Sequence, residues 1–214
     1  MSSLLIQNIH LSFNGRLILT NVSMSCDKDE TVAIIGQSEE GKSSLLKIIY
    51  GTSRADHQEI YFDGKKRSKA YLKDHFIHFC PAGYFIPGYL RLSRIATLFE
   101  WEPEYHSILR ELAPFDKKRL SDLSKSQRKL VEIVALLFAP GDYLLLDEPV
   151  TLLEKAEETL FLQLLKRIKG RKGVILTFRP QQQMPDFVDK LYELTRGHLI
   201  KIEDWGVRNP PEIE

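Results

Sequence analysis

The 214-residue chain is 43% hydrophobic and 28% charged, a composition that buries enough apolar surface to offset its ordering entropy and excludes a disordered chain. Its 30 basic and 29 acidic side chains leave a formal charge of +1, which excludes the basic excess of a general nucleic-acid binder. Two cysteines, Cys26 and Cys80, are too few for a disulfide scaffold or a cysteine-only zinc site and are expected as buried small hydrophobes.

No apolar run reaches the ~20 residues of a membrane span; the longest, near 131–139, contains Glu132. Residues 1–6 lack a positive n-region, so no secretory signal is expected. The opening reads as short strands, Leu4 to Ile6 and then Ile9, Leu11 and Phe13 alternating at period two, before Asn14-Gly15, a strong hairpin signal. Strands at 17–19 and 22–25 continue the sheet, and 27–30 is a polar turn. The apolar run 31–35 reads as a buried strand. A helix follows at 42–50, with Gly51 as its cap. Strands are expected at 59–62, before the turn Asp63-Gly64, and at 76–79.

Residues 83–113 read as helical and irregular, with Tyr84, Phe85, Tyr89, Phe99, Trp101 and Tyr105. The segment 84–89 reads equally as a partner groove or as core. The spacing of Leu130, Val131, Val134, Ala135 and Phe138 predicts a helix at 127–139. A strand at 143–146, a helix at 152–169, a strand at 174–178 and a hairpin around Arg196-Gly197 complete the chain. A β-rich start followed by alternating α and β argues an α/β fold with a mostly parallel central sheet. Only His75 and His78 among six histidines approach a metal spacing, and surface or structural roles are expected. The run Lys65-Lys66-Arg67 is expected as a solvated loop.

Two motifs carry chemistry. Gly36-Gln37-Ser38-Glu39-Glu40-Gly41-Lys42-Ser43 follows a buried strand and opens a helix, the setting of a phosphate loop. Its backbone amides and helix N-terminus suit phosphates, Lys42 reaches the terminal phosphates, and the Ser43 hydroxyl suits Mg²⁺. The second is 143–149, an apolar strand ending in Asp147-Glu148-Pro149. It places two carboxylates at the carboxyl edge of the sheet, where open α/β folds bind ligands. Asp147 can hold Mg²⁺ through water, and Glu148 can orient or deprotonate an attacking water.

With Leu123-Ser124-Lys125-Ser126-Gln127 ahead of a helix, these motifs resemble the ATP-binding cassette (ABC) ATPases over about residues 4–202. The resemblance implies an α/β P-loop NTPase of ABC type, with an N-terminal antiparallel β subdomain, a mostly parallel central sheet and a helical lobe at about 83–140. It implies one domain over 1–205 and a tail at 206–214, marked by Pro210-Pro211. Phe13 falls where the family stacks adenine. ATP is expected at Gly36, Gln37, Ser38, Glu39, Glu40, Gly41, Lys42, Ser43, Ser44, Ser124 and Arg179, and Mg²⁺ at Ser43 and Asp147, with Glu148 and Lys42 catalytic.

The chain departs from the family in its loops. Glu39 stands for a phosphate-loop glycine, Ala82 for a Mg²⁺-sensing glutamine, Lys125 and Ser126 for two signature glycines, Glu154 for an aspartate and Arg179 for a histidine. Side chains at Lys125 and Ser126 are expected to crowd a facing subunit. A carboxylate ~5 Å from one phosphate charge costs about 3 kcal/mol at an effective dielectric of about 20, so the orientation of Glu39 and Glu40 decides how far they weaken ATP binding. Lys125 of one copy either offsets these acids in a facing copy or reflects loss of function.

The resemblance therefore implies an ATP-binding subunit that hydrolyses Mg·ATP to drive a membrane permease on a separate chain. The alternative is a regulatory or structural nucleotide-binding subunit with little turnover. A homodimer or heterodimer through a nucleotide sandwich is expected, cytoplasmic and peripheral at the inner face of a membrane, with no nucleic-acid partner. Sustained heptads, which a chromosome or repair relative would carry, are absent from the sequence.

Overall fold

The computed structural model describes residues 3–67, 69–70, 76–101, 108, 112, 117–182 and 184–203. The expectations for His75, Tyr105, His106 and the 206–214 tail lie outside the described residues, as does part of the expected helical lobe.

Strands β1 (Ser3–Phe13) and β2 (Arg16–Asp27) form a hairpin closed by Asn14 and Gly15, whose φ values of 50° and 77° are the left-handed pair a tight turn requires. Asn8 and Asn21 also have positive φ, 54° and 52°, and the pairing shifts register between Ile6 and Ile9. The expected short strands are thus two long bulged ones. β1 also pairs antiparallel with β4 (His57–Phe62), and β4 with β5 (Lys65–Lys66), giving the order β2-β1-β4-β5.

The second sheet contains β3 (Thr31–Ile35), β6 (Ile77–Cys80), β7 (Tyr143–Leu146), β8 (Gly173–Phe178), β9 (Lys190–Thr195) and β10 (His198–Ile202) in the order β10-β9-β3-β8-β7-β6. All its neighbours are parallel except the closing β9–β10 hairpin. Among the described residues four α-helices accompany the sheets: α1 (Lys42–Tyr50), α2 (Leu92–Leu98), α3 (Lys125–Leu137) and α4 (Lys155–Arg167). Alternation along the parallel strands separates two cores. Val32, Ile34, Tyr143, Leu145 and Ile175 face the β1–β2–β4 sheet and α1. Ala33, Leu144, Leu146, Val174, Leu176 and Phe178 face α2, α3 and α4. The result is a layered α/β fold.

Cys26 and Cys80 are both buried, as expected. Burial pushes the Cys80 thiol up to about 11 against the pull of the Lys129 charge. His78 holds the Pro140 carbonyl at 2.7 Å, a structural role. Lys65 and Lys66 are exposed, and Lys66 pairs with Glu59 at 3.1 Å.

Helix α3 begins at Lys125, two residues before the expected start. The Ser124 hydroxyl accepts the Gln127 N–H and the Gln127 side chain accepts the Ser124 N–H, each at 3.2 Å, closing a capping box. Helix α4 begins at Lys155 rather than 152 because the Glu154 N–H donates to the Ser126 hydroxyl at 2.8 Å, holding that segment as a turn.

Charged side chains of α3 also fasten the loop after β6. Lys129 is fully buried and donates to the carbonyls of Pro81 and Gly83, the latter at 3.1 Å. Glu132, also fully buried, accepts the N–H groups of Phe85 at 3.1 Å and Ile86 at 3.2 Å. Burial raises the Glu132 pKa, opposed by those two amides and by Lys129 and Arg128. Arg128 donates to the Ile86 carbonyl at 3.0 Å and stands 4.2 Å from the centre of the Tyr84 ring. The segment 84–89 therefore divides: Ile86 is core, whereas Tyr84 and Tyr89 are exposed. Glu132→Ala strands two loop amides, one of them buried, and is expected to lower stability by ~2–4 kcal/mol. A urea titration checks this: a lower midpoint at unchanged slope is expected, and an unchanged midpoint contradicts it.

Candidate functional site

The phosphate loop leaves β3 beside β9 with no room for a side chain. A Cβ on Gly36 would lie 2.6 Å from the Leu194 carbonyl oxygen. Gly41 has φ 100°, and a Cβ there would lie 3.0 Å from both Ile18 Cγ2 and Leu19 Cδ2. Glycine is needed at both positions, and Gly41 also needs its left-handed backbone. Between them Glu39 takes φ 67° without being glycine, a conformation that costs a side-chain-bearing residue energy.

Lys42, the first residue of α1, is 4% exposed. Its ammonium donates to the carbonyls of Gly36 at 2.7 Å and Gln37 at 2.8 Å and pairs with Glu148 Oε1 at 3.3 Å. It is folded back across its own loop onto the carboxylate at the end of β7.

That end of the sheet is organised by one buried hydroxyl. Thr177 of β8 is fully buried; its Oγ1 accepts the Glu148 N–H at 2.8 Å and donates to Asp147 Oδ1 at 3.1 Å. Asp147 is 3% exposed, and its N–H donates to the Cys80 carbonyl at 2.9 Å. Glu148 has φ 43°, so the chain turns sharply as it leaves the strand. Its second oxygen accepts from Arg179 Nε at 2.9 Å and from the Thr151 hydroxyl at 3.2 Å. Burial pushes the Glu148 pKa up, but the Arg179 hydrogen bond and the Lys42 charge outweigh it and hold the group below the ordinary glutamate value.

These elements border an open cavity of about 310 Å³. Leu11, Phe13 and Ile18 supply an apolar side, Lys42, Ser43 and Ser44 a polar one, and Glu39 and Glu148 the acids. Phe13 is 69% exposed at the hairpin tip and shares the cavity lining with the polar residues of the loop and α1. The Ser43 hydroxyl and Asp147 carboxylate are hard oxygen donors, which suits Mg²⁺. Among the described residues, no three or more His, Cys, Asp or Glu side chains are grouped to hold a metal ion.

The structure sorts the expected residues. Phe13, Glu39, Gly41, Lys42, Ser43, Ser44 and Glu148 line one cavity. Gly36 and Gln37 join it through Lys42, Arg179 through Glu148, and Asp147 through Thr177. Ser38 is exposed on the loop. Glu40 does not line the cavity; its carboxylate accepts the Arg196 N–H of the β9–β10 turn at 2.6 Å. Ser124 caps α3 and does not line the cavity. The expected crowding is corrected at Ser126, which is 2% exposed and turned inward onto the Glu154 N–H; Lys125 alone is left exposed at that step. Sequence reasoning missed Thr151, Thr177 and Gln182. Thr177 had a signal, a lone polar residue in the apolar run of β8.

The chain is similar in sequence and fold to known proteins. The sequence model of the ABC transporter family (ABC_tran) matches residues 19–151. A xylose/arabinose import ATP-binding protein of Sulfolobus acidocaldarius is 27% identical, over 100% of this chain and 94% of its own length. A ribose import ATP-binding protein of Agrobacterium fabrum is 26% identical over 96% of this chain, which spans only 44% of that relative. A solved ATP-binding subunit of an ABC transporter superposes with a TM-score of 0.79 at 20% identity, covering 92% of this chain and 87% of its own, a likeness of fold.

Replacing Glu39 by glycine removes the left-handed strain and is expected to stabilise the chain by about 1 kcal/mol. That corresponds to ~2–4 °C in thermal midpoint for a domain of this size. A calorimetric midpoint that falls contradicts the strained loop.

Proposed function

The chain belongs to the ABC transporter family, and on that premise we propose that it is the ATP-binding subunit of a transport complex, binding Mg·ATP and hydrolysing it slowly to drive a membrane permease on another chain. The observation that supports this best is the ion pair between Lys42 and Glu148 at the cavity floor. It joins the phosphate loop to the carboxyl edge of the sheet, where a nucleotide's terminal phosphate and an attacking water have to meet.

The adenine stacks on the exposed Phe13 ring, and the phosphates lie along residues 36–44. The polyphosphate takes Lys42 and Arg179 from Glu148, since several negative charges outcompete one carboxylate for two cations. The freed Glu148 carboxylate orients the water and accepts its proton. Ser43, and Asp147 through water, would hold Mg²⁺, which would supply neutralising charge beside the phosphates. Arg179 stands where the family carries a histidine and adds a permanent cation. Glu40, tied to the Arg196 N–H, leaves Glu39 as the phosphate-loop acid that repels the nucleotide.

Residues 1–205 act as one domain, with the helical lobe at about 83–140. Among the described residues no helix is long and apolar enough to cross a membrane, which fits a peripheral subunit working through a partner. The capped N-terminus of α3 at Ser124 offers its dipole to a second chain's phosphate loop, in a nucleotide-sandwich dimer.

Two measurements test this reading. Lys42→Ala removes charge-assisted contacts worth ~1.5–3 kcal/mol and is expected to weaken binding of a labelled ATP analogue by about 10- to 100-fold; equal affinity refutes the site. With Ala82 and Arg179 in place of the family's glutamine and histidine, the full chain is expected to turn over Mg·ATP below about 1 s⁻¹, the low end of ordinary enzymes. A rate well above about 10 s⁻¹ contradicts that cost.

A further inference from the structure

Two tight turns face each other where β7 and β8 end. In the first, the Thr151 N–H returns to the Glu148 carbonyl at 3.2 Å; in the second, the Gln182 N–H returns to the Arg179 carbonyl at 3.0 Å. The turns have the same spacing, and their side chains close a ring. Arg179 Nε donates to Glu148 Oε2 at 2.9 Å, and the Thr151 hydroxyl donates to the same oxygen at 3.2 Å. Gln182 Nε2 donates to Thr151 Oγ1 at 3.3 Å, and the Arg179 N–H donates to Gln182 Oε1 at 2.8 Å.

The donors and acceptors leave little freedom in this ring. A threonine hydroxyl has one proton. Because Gln182 donates to the Thr151 oxygen, that proton is left for the Glu148 carboxylate. The amide of Gln182 is oriented in turn, since its carbonyl is taken by the Arg179 N–H. Neither Thr151 nor Gln182 lines the cavity, so neither is placed to touch a nucleotide there.

We propose that Thr151 and Gln182 are positioning residues for ATP hydrolysis, holding Glu148 in place once phosphate has drawn Arg179 and Lys42 away from it. The proposal rests on the function assigned above. When both cations leave, Glu148 loses the contacts at 2.9 and 3.3 Å. The Thr151 hydroxyl remains on Oε2 and opposes the pull of the cations on the carboxylate. Gln182 fixes the direction of that hydroxyl and, through the Arg179 N–H, the root of the guanidinium side chain. The carboxylate and the phosphate-binding cation are thereby referenced to one frame. A positioning role of this kind acts on the chemical step rather than on nucleotide affinity.

The test is steady-state kinetics of the full chain with Mg·ATP, alongside binding of a labelled ATP analogue. Thr151→Val is expected to lower kcat about tenfold and the turn variant Gln182→Leu about threefold, with KM for ATP changed less than about twofold. Thr151→Ser keeps the hydroxyl and is expected to restore kcat to within about threefold of wild type. The double variant is expected to lose no more than Thr151→Val alone, because both side chains act through one chain of hydrogen bonds. Wild-type kcat in both single variants, or losses that multiply in the double, overturns the ring's role while leaving the assigned function standing. A wild-type chain that binds no analogue overturns the assigned function itself, and binding without turnover overturns hydrolysis together with the ring's part in it.

Discussion

The site depends on one carboxylate shared between two cations. Glu148 is placed by a parallel strand that ends at a buried aspartate, and it meets Lys42 at 3.3 Å from the phosphate loop and Arg179 at 2.9 Å from the next strand. Three consecutive segments of sheet edge are drawn together by that single side chain. The geometry is possible because β3, β8 and β7 are adjacent and parallel, so their carboxyl ends, and the loops that follow them, open on the same side. The buried Thr177 hydroxyl fixes how Asp147 and Glu148 diverge, one under the sheet edge and one toward the cavity. Both cations are thereby partnered by the same carboxylate, and in the proposed function an incoming polyphosphate exchanges with that carboxylate rather than filling an empty cationic hole.

The second constraint is the attachment of α3. Lys129 and Glu132 are buried charges that hold the backbone of the loop after β6 at successive points, the Pro81 and Gly83 carbonyls and the Phe85 and Ile86 amides. Ala82 lies between two of those points and has no ligand atom of its own. In this chain the loop is fixed from the helix side rather than by its own side chain. The same helix begins at the Ser124 cap and holds the Glu154 N–H through Ser126, so the loop after β6, the capped helix start and the turn after β7 form one connected body. Buried ionic groups of this kind fix an arrangement more than they add stability.

Much of this was legible in the sequence. The period-two opening, the Asn14-Gly15 turn, the apolar run of β3 and the helix after Lys42 carry the fold through local patterns, and each was placed within a few residues. The site's principal residues were legible because the phosphate loop and the Asp147-Glu148 pair are contiguous motifs. What stayed hidden depends on contacts between distant segments. The inward turn of Ser126 requires Glu154, 28 residues away, and the outward turn of Glu40 requires Arg196, 156 residues away. Thr151 and Gln182 are ordinary polar turn residues until β7 and β8 are set side by side. The long bulged strands β1 and β2 read as shorter pieces because Asn8 and Asn21, at positive φ, interrupt the alternation without ending the ladder.

If the carboxylate and the nucleotide compete for the same cations, removing the negative charge must help the nucleotide bind. Calorimetric titration of a non-hydrolysable Mg·ATP analogue into the wild-type chain and into Glu148→Gln measures that competition without interference from turnover. The account predicts binding to Glu148→Gln tighter by about tenfold, or 1.4 kcal/mol. Equal or weaker binding to Glu148→Gln would show that Lys42 and Arg179 are not what the phosphates take from Glu148, and would contradict the account.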